Sequence, residues 1–285
     1  MKHPEIAEIT QTKFKKIHTG LASVRLHFHE DDIRLFRVKV KKLGAFLRLL
    51  GTAKGHHQAL KIPQKIIKYY EVSGMIRSLQ LQQLYVQKTL AENQIDPPKI
   101  YLKQLSDQIL HYISAAGQMT ISERSFKRGE GLLLKHLPDQ LSTKMADQYV
   151  WSEVQKIEQL MAPVFPGDRS LHELRKLLKG LLYVWPFVQN GVGQMSPYSL
   201  LSNEENIDAF TIVLGNFHDI DSAIGLLHSG CSTLDPDESE TAVLRVMEGL
   251  WINAKETTRQ DIYQLMEQII GSGKPYQQLA DPVVL

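Results

Sequence analysis

Cysteine is almost absent from this chain: Cys231 is the only one in 285 residues, so neither a disulfide framework nor a cysteine metal site can be built. Long apolar runs are missing too. No stretch approaches the ~20 uninterrupted apolar residues of a membrane span, and the opening MKHPEIAEITQTKFKKIH has no apolar core of a secretory signal. No membrane association is expected, and a reducing cytoplasm is the default setting. Strand signals are equally scarce, because the one strand-like fragment, VRLHFH at 24–29, is too short and isolated to make a sheet. Net charge is also small, at +2.

That small total hides a polarised distribution. Residues 1–200 hold 29 Lys and Arg against 17 Asp and Glu, whereas residues 201–285 hold 4 against 14. Basic surface therefore gathers on the first two thirds, where a polyanion would be attracted, and the acidic last third would shield or orient it. With 43% hydrophobic and 22% charged residues, the composition is that of a globular protein large enough to bury a sizeable core.

Apolar residues recur with a period near 3.6 through 4–19, 30–54, 56–71, 74–93, 98–116, 120–136, 138–162, 168–190, 204–230 and 236–271, which predicts an all-α fold. Breaks are expected at Gly20, Pro97-Pro98, Gly117, Pro138, around Pro163 and Pro166, in GVGQMSP, and at Asp235-Pro236. Tyr69, Tyr70, Trp151, Trp185 and Trp251 sit at helical spacing and read as core.

Two of these segments carry the same pattern of positive charge. DDIRLFRVKVKKLGAFLRLL contains Arg34, Arg37 and Lys41, and RSLHELRKLLKGLLYVWPF contains His172, Arg175 and Lys179. The gaps are three and then four in both, and each pair lies 138 positions apart. Spacings of three and four share one helix face. In the first segment Phe36, Val40, Leu43, Phe46 with Leu47, and Leu50 form the inward seam; in the second, Leu171, Leu174, Leu178, Leu181 and Trp185 do. Arg37, Lys41 and Arg48 follow seam members by one residue, about 100° round the helix, so the cations flank the core. A solubilising surface usually mixes both signs, and here the stripe is free of acid in both copies. A second echo aligns YYEVSGMIRSLQL with TIVLGNFHDIDSAIGLL, with Gly74 on Gly215 and Arg77 on His218. Duplication follows, with repeat one at about 1–137 and repeat two at about 138–285 of a single unit.

These residues resemble the CHAD domain, a family named for conserved histidines in an α-helical domain. Its pattern, roughly His-x-x-Arg-x-x-x-(Lys/Arg)-(Lys/Arg)-Leu-Arg followed by Leu-Gly-x-x-(Arg/His/Asn)-Asp, is met by His172, Arg175, Lys176, Lys179 and Tyr183, then by Leu214, Gly215, His218 and Asp219. The resemblance spans essentially the whole chain. It implies two four-helix bundles related by an approximate two-fold axis around a basic cavity that binds inorganic polyphosphate. The first copy departs from the pattern with Arg34 at the histidine, Gly44 at the last arginine and Ser78 at the aspartate. In the second copy Gly180 and Leu182 replace basic residues.

Other chemistries find less support. His218-Asp219 could begin a metal-dependent phosphohydrolase site, but no upstream partner stands at a matching spacing. GSGK at 271–274 lacks the first glycine of a P-loop, since position 268 is Gln, and Pro275 replaces its Ser or Thr. The Glu-x-Glu-x-Lys motif of the triphosphate tunnel domains that often accompany CHAD domains is approached only by Glu238-Ser239-Glu240, without the lysine. His27, His29, His56 and His57 read as loop or surface histidines. The expectation is a non-enzymatic binding module with no metal and no cofactor, taking inorganic polyphosphate or a similar polyanion. Arg37, Lys41, Arg175 and Lys179 would donate to phosphate, with Arg34 and His172 extending the row and Lys42, Arg48, Arg77, Lys176 and His218 contributing. Binding would weaken as His172 loses its proton. A scaffold that has lost its ligand and docks a protein partner is the alternative; nucleic acid is disfavoured because no exposed aromatics interleave the charges, and homo-oligomerisation stays open.

Overall fold

Both apolar seams fold as their spacing requires. The computed structural model describes residues 1–54, 60–119, 121–163, 165–195, 199–231 and 238–271. Among them run nine α-helices: α1 (His3–His27), α2 (Glu30–Gly51), α3 (Gln64–Asn93), α4 (Lys99–Gln118), α5 (Glu123–Leu134), α6 (Thr143–Met161), α7 (Asp168–Met195), α8 (Glu204–Cys231) and α9 (Glu238–Gly271). No strand occurs among the described residues, and the fold is all-α. Ser122 and Ser142 accept from the amides of Ser125 and Met145 to start α5 and α6, satisfying donors that a helix end leaves orphaned.

Three expectations are corrected. Gly20 does not interrupt a helix: α1 runs through it to His27, and the expected strand-like fragment is mostly the end of that helix. Gly20 lies against α2, where a Cβ would stand 3.5 Å from the Cα of Phe36. The helix stops instead at Phe28, which adopts a left-handed φ of 50° while its amide bonds to Val24. Next, 64–93 is one helix where a break before Gly74 was expected. Lastly, Trp151 is 59% exposed; its neighbours Val150 and Val154 take the inward positions of α6, which leaves Trp151 about 100° off the seam. Tyr69, Trp185 and Trp251 are buried as expected. His56, His57, Asp235-Pro236 and residues 272–274 of GSGK lie outside the described residues.

Helices pair in the same order in each half of the chain. α1 packs on α2, α2 on α3 and α3 on α4; α6 packs on α7, α7 on α8 and α8 on α9. α2 and α7 then meet each other. Two hydrophobic cores result, and each takes helices from both halves. The larger holds the seams of α1, α2, α6 and α7; the smaller is built from α3, α4, α8 and α9. Helices α3 and α8 bridge the two, and their inward residues match one for one. Ile66, Tyr69 and Ile76 correspond to Ile207, Phe210 and Phe217 in the larger core, and Leu79 and Val86 correspond to Ile220 and Leu227 in the smaller. The helices touch at a corresponding pair, where the Gln82 side chain donates to the Ala223 carbonyl across 141 positions. Contact between like positions is the mark of an isologous interface.

Polar bonds pin the smaller core. The Trp251 indole donates to the Thr89 hydroxyl at 2.8 Å, and the buried Glu240 carboxylate accepts from the Ile100 and Tyr101 amides at 3.2 and 2.7 Å. Glu240 thus caps α4 from another helix, which gives this glutamate a structural role. Glu240→Ala should orphan two N-terminal amides and cost about 1–2 kcal/mol, read as a lower urea midpoint with an unchanged slope.

Candidate functional site

Crossing α2 over α7 brings the two basic stripes together. Lys41 is the centre of the arrangement. It is exposed as a residue, yet its ammonium is pushed down to about 8 by desolvation first, then by Arg37, Arg175 and Lys179, with Asp219 pulling the other way. Three cations from two helices therefore act on one lysine. No carboxylate among the described residues lies within ion-pair distance of Arg37, Lys41 or Arg175. Gathering like charge in a partly dried site disfavours the charged forms, and the geometry is a ready receptor for an anion.

Each arginine is held by a glycine on the next helix. The Arg37 guanidinium donates to the Tyr70 carbonyl and lies 4.2 Å from the centre of the Tyr70 ring. A Cβ at Gly74 would stand 2.9 Å from its Cζ and 3.0 Å from Nη2. Burial holds this guanidinium below its ordinary value. On the other side Arg175 lies against Gly215, where a Cβ would stay 3.6 Å from Nε. That Nε is buried and meets no acceptor among the described residues, an arrangement that costs free energy until an acceptor arrives.

The remaining candidates divide by their partners. Lys179 contacts Asp208 at 3.0 Å, and Lys176 pairs with Glu173 at 2.9 Å. Arg34 pairs with Asp31 at 3.2 Å, and Arg77 with Glu30 at 2.7 Å. His172 stacks on His218 with ring centres 4.6 Å apart, while His218 contacts Asp219 at 3.2 Å. His172 is lowered from its ordinary value, by desolvation first and then by His218 and Lys176. Its titration therefore lies to the acid side of the expected window. Lys42 acts on Lys13 of α1, off the row. Arg48 is wedged where α2 and α7 approach, and Cβ atoms at Gly44 and Gly180 would lie 3.8 and 3.6 Å from its guanidinium nitrogens. These two glycines stand where the family pattern has basic residues, and Arg48 occupies the space they leave.

Two tyrosines were not read as site residues: Tyr70 was expected in the core, and Tyr183 was quoted only for its fit to the family pattern. Tyr70 comes with Arg37, and Tyr183 is raised by desolvation and feels Arg175, Tyr70 and Asp208. Position 183 continues the three-and-four spacing of 172, 175 and 179, so extending the stripe one turn would have found it. Nothing local signals Tyr70. Among the described residues no cluster of three or more His, Cys, Asp and Glu is positioned for a metal, and no helix is long and apolar enough to cross a membrane.

The chain is an all-α protein whose two central helices bring Arg37, Lys41 and Arg175 together with no carboxylate in ion-pair distance among the described residues. The CHAD domain profile matches residues 8–228, and the chain belongs to that family. Its fold is similar to the crystal structure of the CHAD domain from the plant Ricinus communis, with a TM-score of 0.73, 17% identity, and 97% of this chain and 94% of that one covered. It is also similar to PptA from Streptomyces chartreusis, with a TM-score of 0.69, 14% identity, and 94% and 99% covered. No curated protein matches the sequence.

The two glycines should respond differently to a methyl group. Gly215→Ala gains helix propensity without a clash and should be neutral or stabilising by up to about 1 kcal/mol. Gly74→Ala must expel Arg37 from its place on Tyr70 and should lose that gain. Paired melting curves decide it; a Gly74→Ala protein as stable as Gly215→Ala would refute the packing.

Lys41 also sets a pH dependence. A bound anion favours its charged form, so affinity for an anion should hold below about pH 8 and fall above it, with proton uptake on binding there. Titration calorimetry in buffers of different ionisation enthalpy measures that uptake.

Proposed function

We propose that this chain is a non-catalytic binding module for inorganic polyphosphate or a closely similar polyanion. The observation that carries the reading is the unpaired triplet of Arg37, Lys41 and Arg175, held by two packed helices. A phosphate chain supplies what these groups lack: closely spaced oxygens that accept from guanidinium in bidentate fashion and from ammonium as a point charge. Lys179 would exchange Asp208 for phosphate at one edge, and Tyr70 and Tyr183 would line the row. His172 would extend it. Arg34, Lys42, Arg48, Arg77, Lys176 and His218 surround the row, and their existing partners or distance make their contribution smaller.

The two sequence halves, about 1–137 and 138–285, are read as a duplicated unit in which each contributes one basic helix to a shared site. The repeated order of helix contacts and the matched inward residues of α3 and α8 support this reading. Family membership supports a polyphosphate-related role, and the likeness to the two solved structures supports the fold.

If both rows engage one flexible chain, the second contact forms at high effective concentration. Long polyphosphate should therefore bind far more tightly than orthophosphate or pyrophosphate. Counterion release should make the affinity fall steeply and roughly log-linearly with salt. Arg37→Glu or Arg175→Glu should weaken long-chain binding by about tenfold or more while leaving a helical circular dichroism spectrum. Calorimetric titration with chains of graded length measures both. Equal affinity for short and long chains, or affinity flat in salt, would favour the scaffold reading instead.

A further inference from the structure

One cleft beside the basic row is built differently from the row itself. It holds about 780 Å³ between the start of α2, the second half of α3 and the middle of α8, a size that suits a small organic group. Its cations are answered: Arg34 meets Asp31, Arg77 meets Glu30, and Lys88 meets Glu92 at 3.9 Å. The carboxylates of Glu30, Asp31 and Asp219 leave acceptors facing it. A bare phosphate entering here would trade one set of anionic partners for another and gain little.

The walls favour something less charged. Leu81 and Leu84 line the cleft while 37% and 45% exposed, and two neighbouring exposed leucines on one helix mark a surface that a ligand can cover. Between them and α8 stands Tyr85, whose ring is fixed edge-on against Trp251 with centres 5.2 Å apart. Its hydroxyl is pushed up to about 12, by burial first and then by Asp219, so it remains a neutral donor. The cleft therefore offers an apolar face, an aromatic ring, the hydroxyls of Tyr85, Ser78 and Ser222, and several carboxylate acceptors.

Cleft and row are contiguous. His218 lines the cleft and stacks on His172 of α7, Asp219 acts on both Tyr85 and Lys41, and Arg34 stands one turn before Arg37 on α2. Resting on the polyanion reading above, we propose that the protein recognises a polyphosphate carrying a neutral organic end group, a nucleoside polyphosphate being the simplest, with phosphates on Arg37, Lys41 and Arg175 and the nucleoside in the cleft. Base and ribose donors would meet Glu30, Asp31 and Asp219. The flat base would cover Leu81 and Leu84.

The test compares ATP with inorganic tripolyphosphate by calorimetric titration at fixed pH and salt without divalent cations. ATP should bind at least about tenfold more tightly. A Leu81→Ser, Leu84→Ser double variant should abolish the preference while leaving tripolyphosphate affinity unchanged, and Arg37→Glu should weaken both ligands. Tripolyphosphate binding as tightly as ATP, or a preference that survives the double variant, would overturn the cleft assignment and leave the polyanion reading standing. Failure of ATP, tripolyphosphate and long polyphosphate alike would remove both.

Discussion

Everything in this molecule is arranged around one unfavourable contact, the meeting of Arg37 and Lys41 with Arg175 and Lys179 across the α2 and α7 crossing. Two charged helices left to themselves would separate or rotate. They cannot, because Phe36, Val40, Leu174 and Leu178, each one residue behind a cation, are buried with Leu43 and Leu181 in the same core. Burial of each such side chain is worth roughly 1.5–3 kcal/mol, and several together outweigh the repulsion that depresses Lys41. The apolar seams thus hold Arg37, Lys41 and Arg175 close to one another without a carboxylate in ion-pair distance among the described residues, while Lys179 is answered by Asp208. A site organised before its ligand arrives avoids much of the ordering cost of association.

The proposed duplication would explain how such a crossing can be symmetric. Helices α3 and α8 place corresponding residues in corresponding cores, and they touch at Gln82 and Ala223. Gly74 and Gly215 come from the same two helices and receive the two arginines. Symmetry is nevertheless imperfect where it matters chemically. Arg37 has a carbonyl and an aromatic ring to rest on, whereas Arg175 keeps a buried Nε without an acceptor. Arg34 faces an aspartate of its own helix, and its counterpart His172 stacks on another histidine.

What could be read from the sequence was whatever one helix determines by itself. The seams of α2 and α7 and the positions of Arg37 and Arg175 beside them follow from a period of 3.6, and the structure agrees with each. The family resemblance added the expectation that the stripes converge. What could not be read depends on a partner distant in sequence. Asp208 neutralises Lys179 from α8, Glu30 neutralises Arg77 from α2, and Tyr70 reaches Arg37 from α3. The gap expected between 71 and 74 is continuous helix, and the missing side chain of Gly74 makes room for a guanidinium. Trp151 was assigned to the core on its helical spacing, although its phase on α6 places it outside.

These distant acids also bear on how the proposed polyanion site could exist in a chain with so little net charge. At physiological salt, exposed charges farther apart than about 8 Å are largely screened from one another, so the acidic last third does not cancel the row merely by existing. It matters only where Asp208 and Asp219 come close. Both sit at the margins: Asp208 pairs with Lys179, and Asp219 faces His218 while acting on Lys41. Arg34, Arg77 and Lys176 are likewise paired at the periphery. The field is therefore strongest over Arg37, Lys41 and Arg175 and fades toward both ends. A long uniformly charged surface would attract any nucleic acid or acidic membrane. On the proposed reading, a short bare centre with neutralised ends would restrict strong attraction to an anion slender enough to enter between the helices and dense enough in charge to satisfy three cations at once.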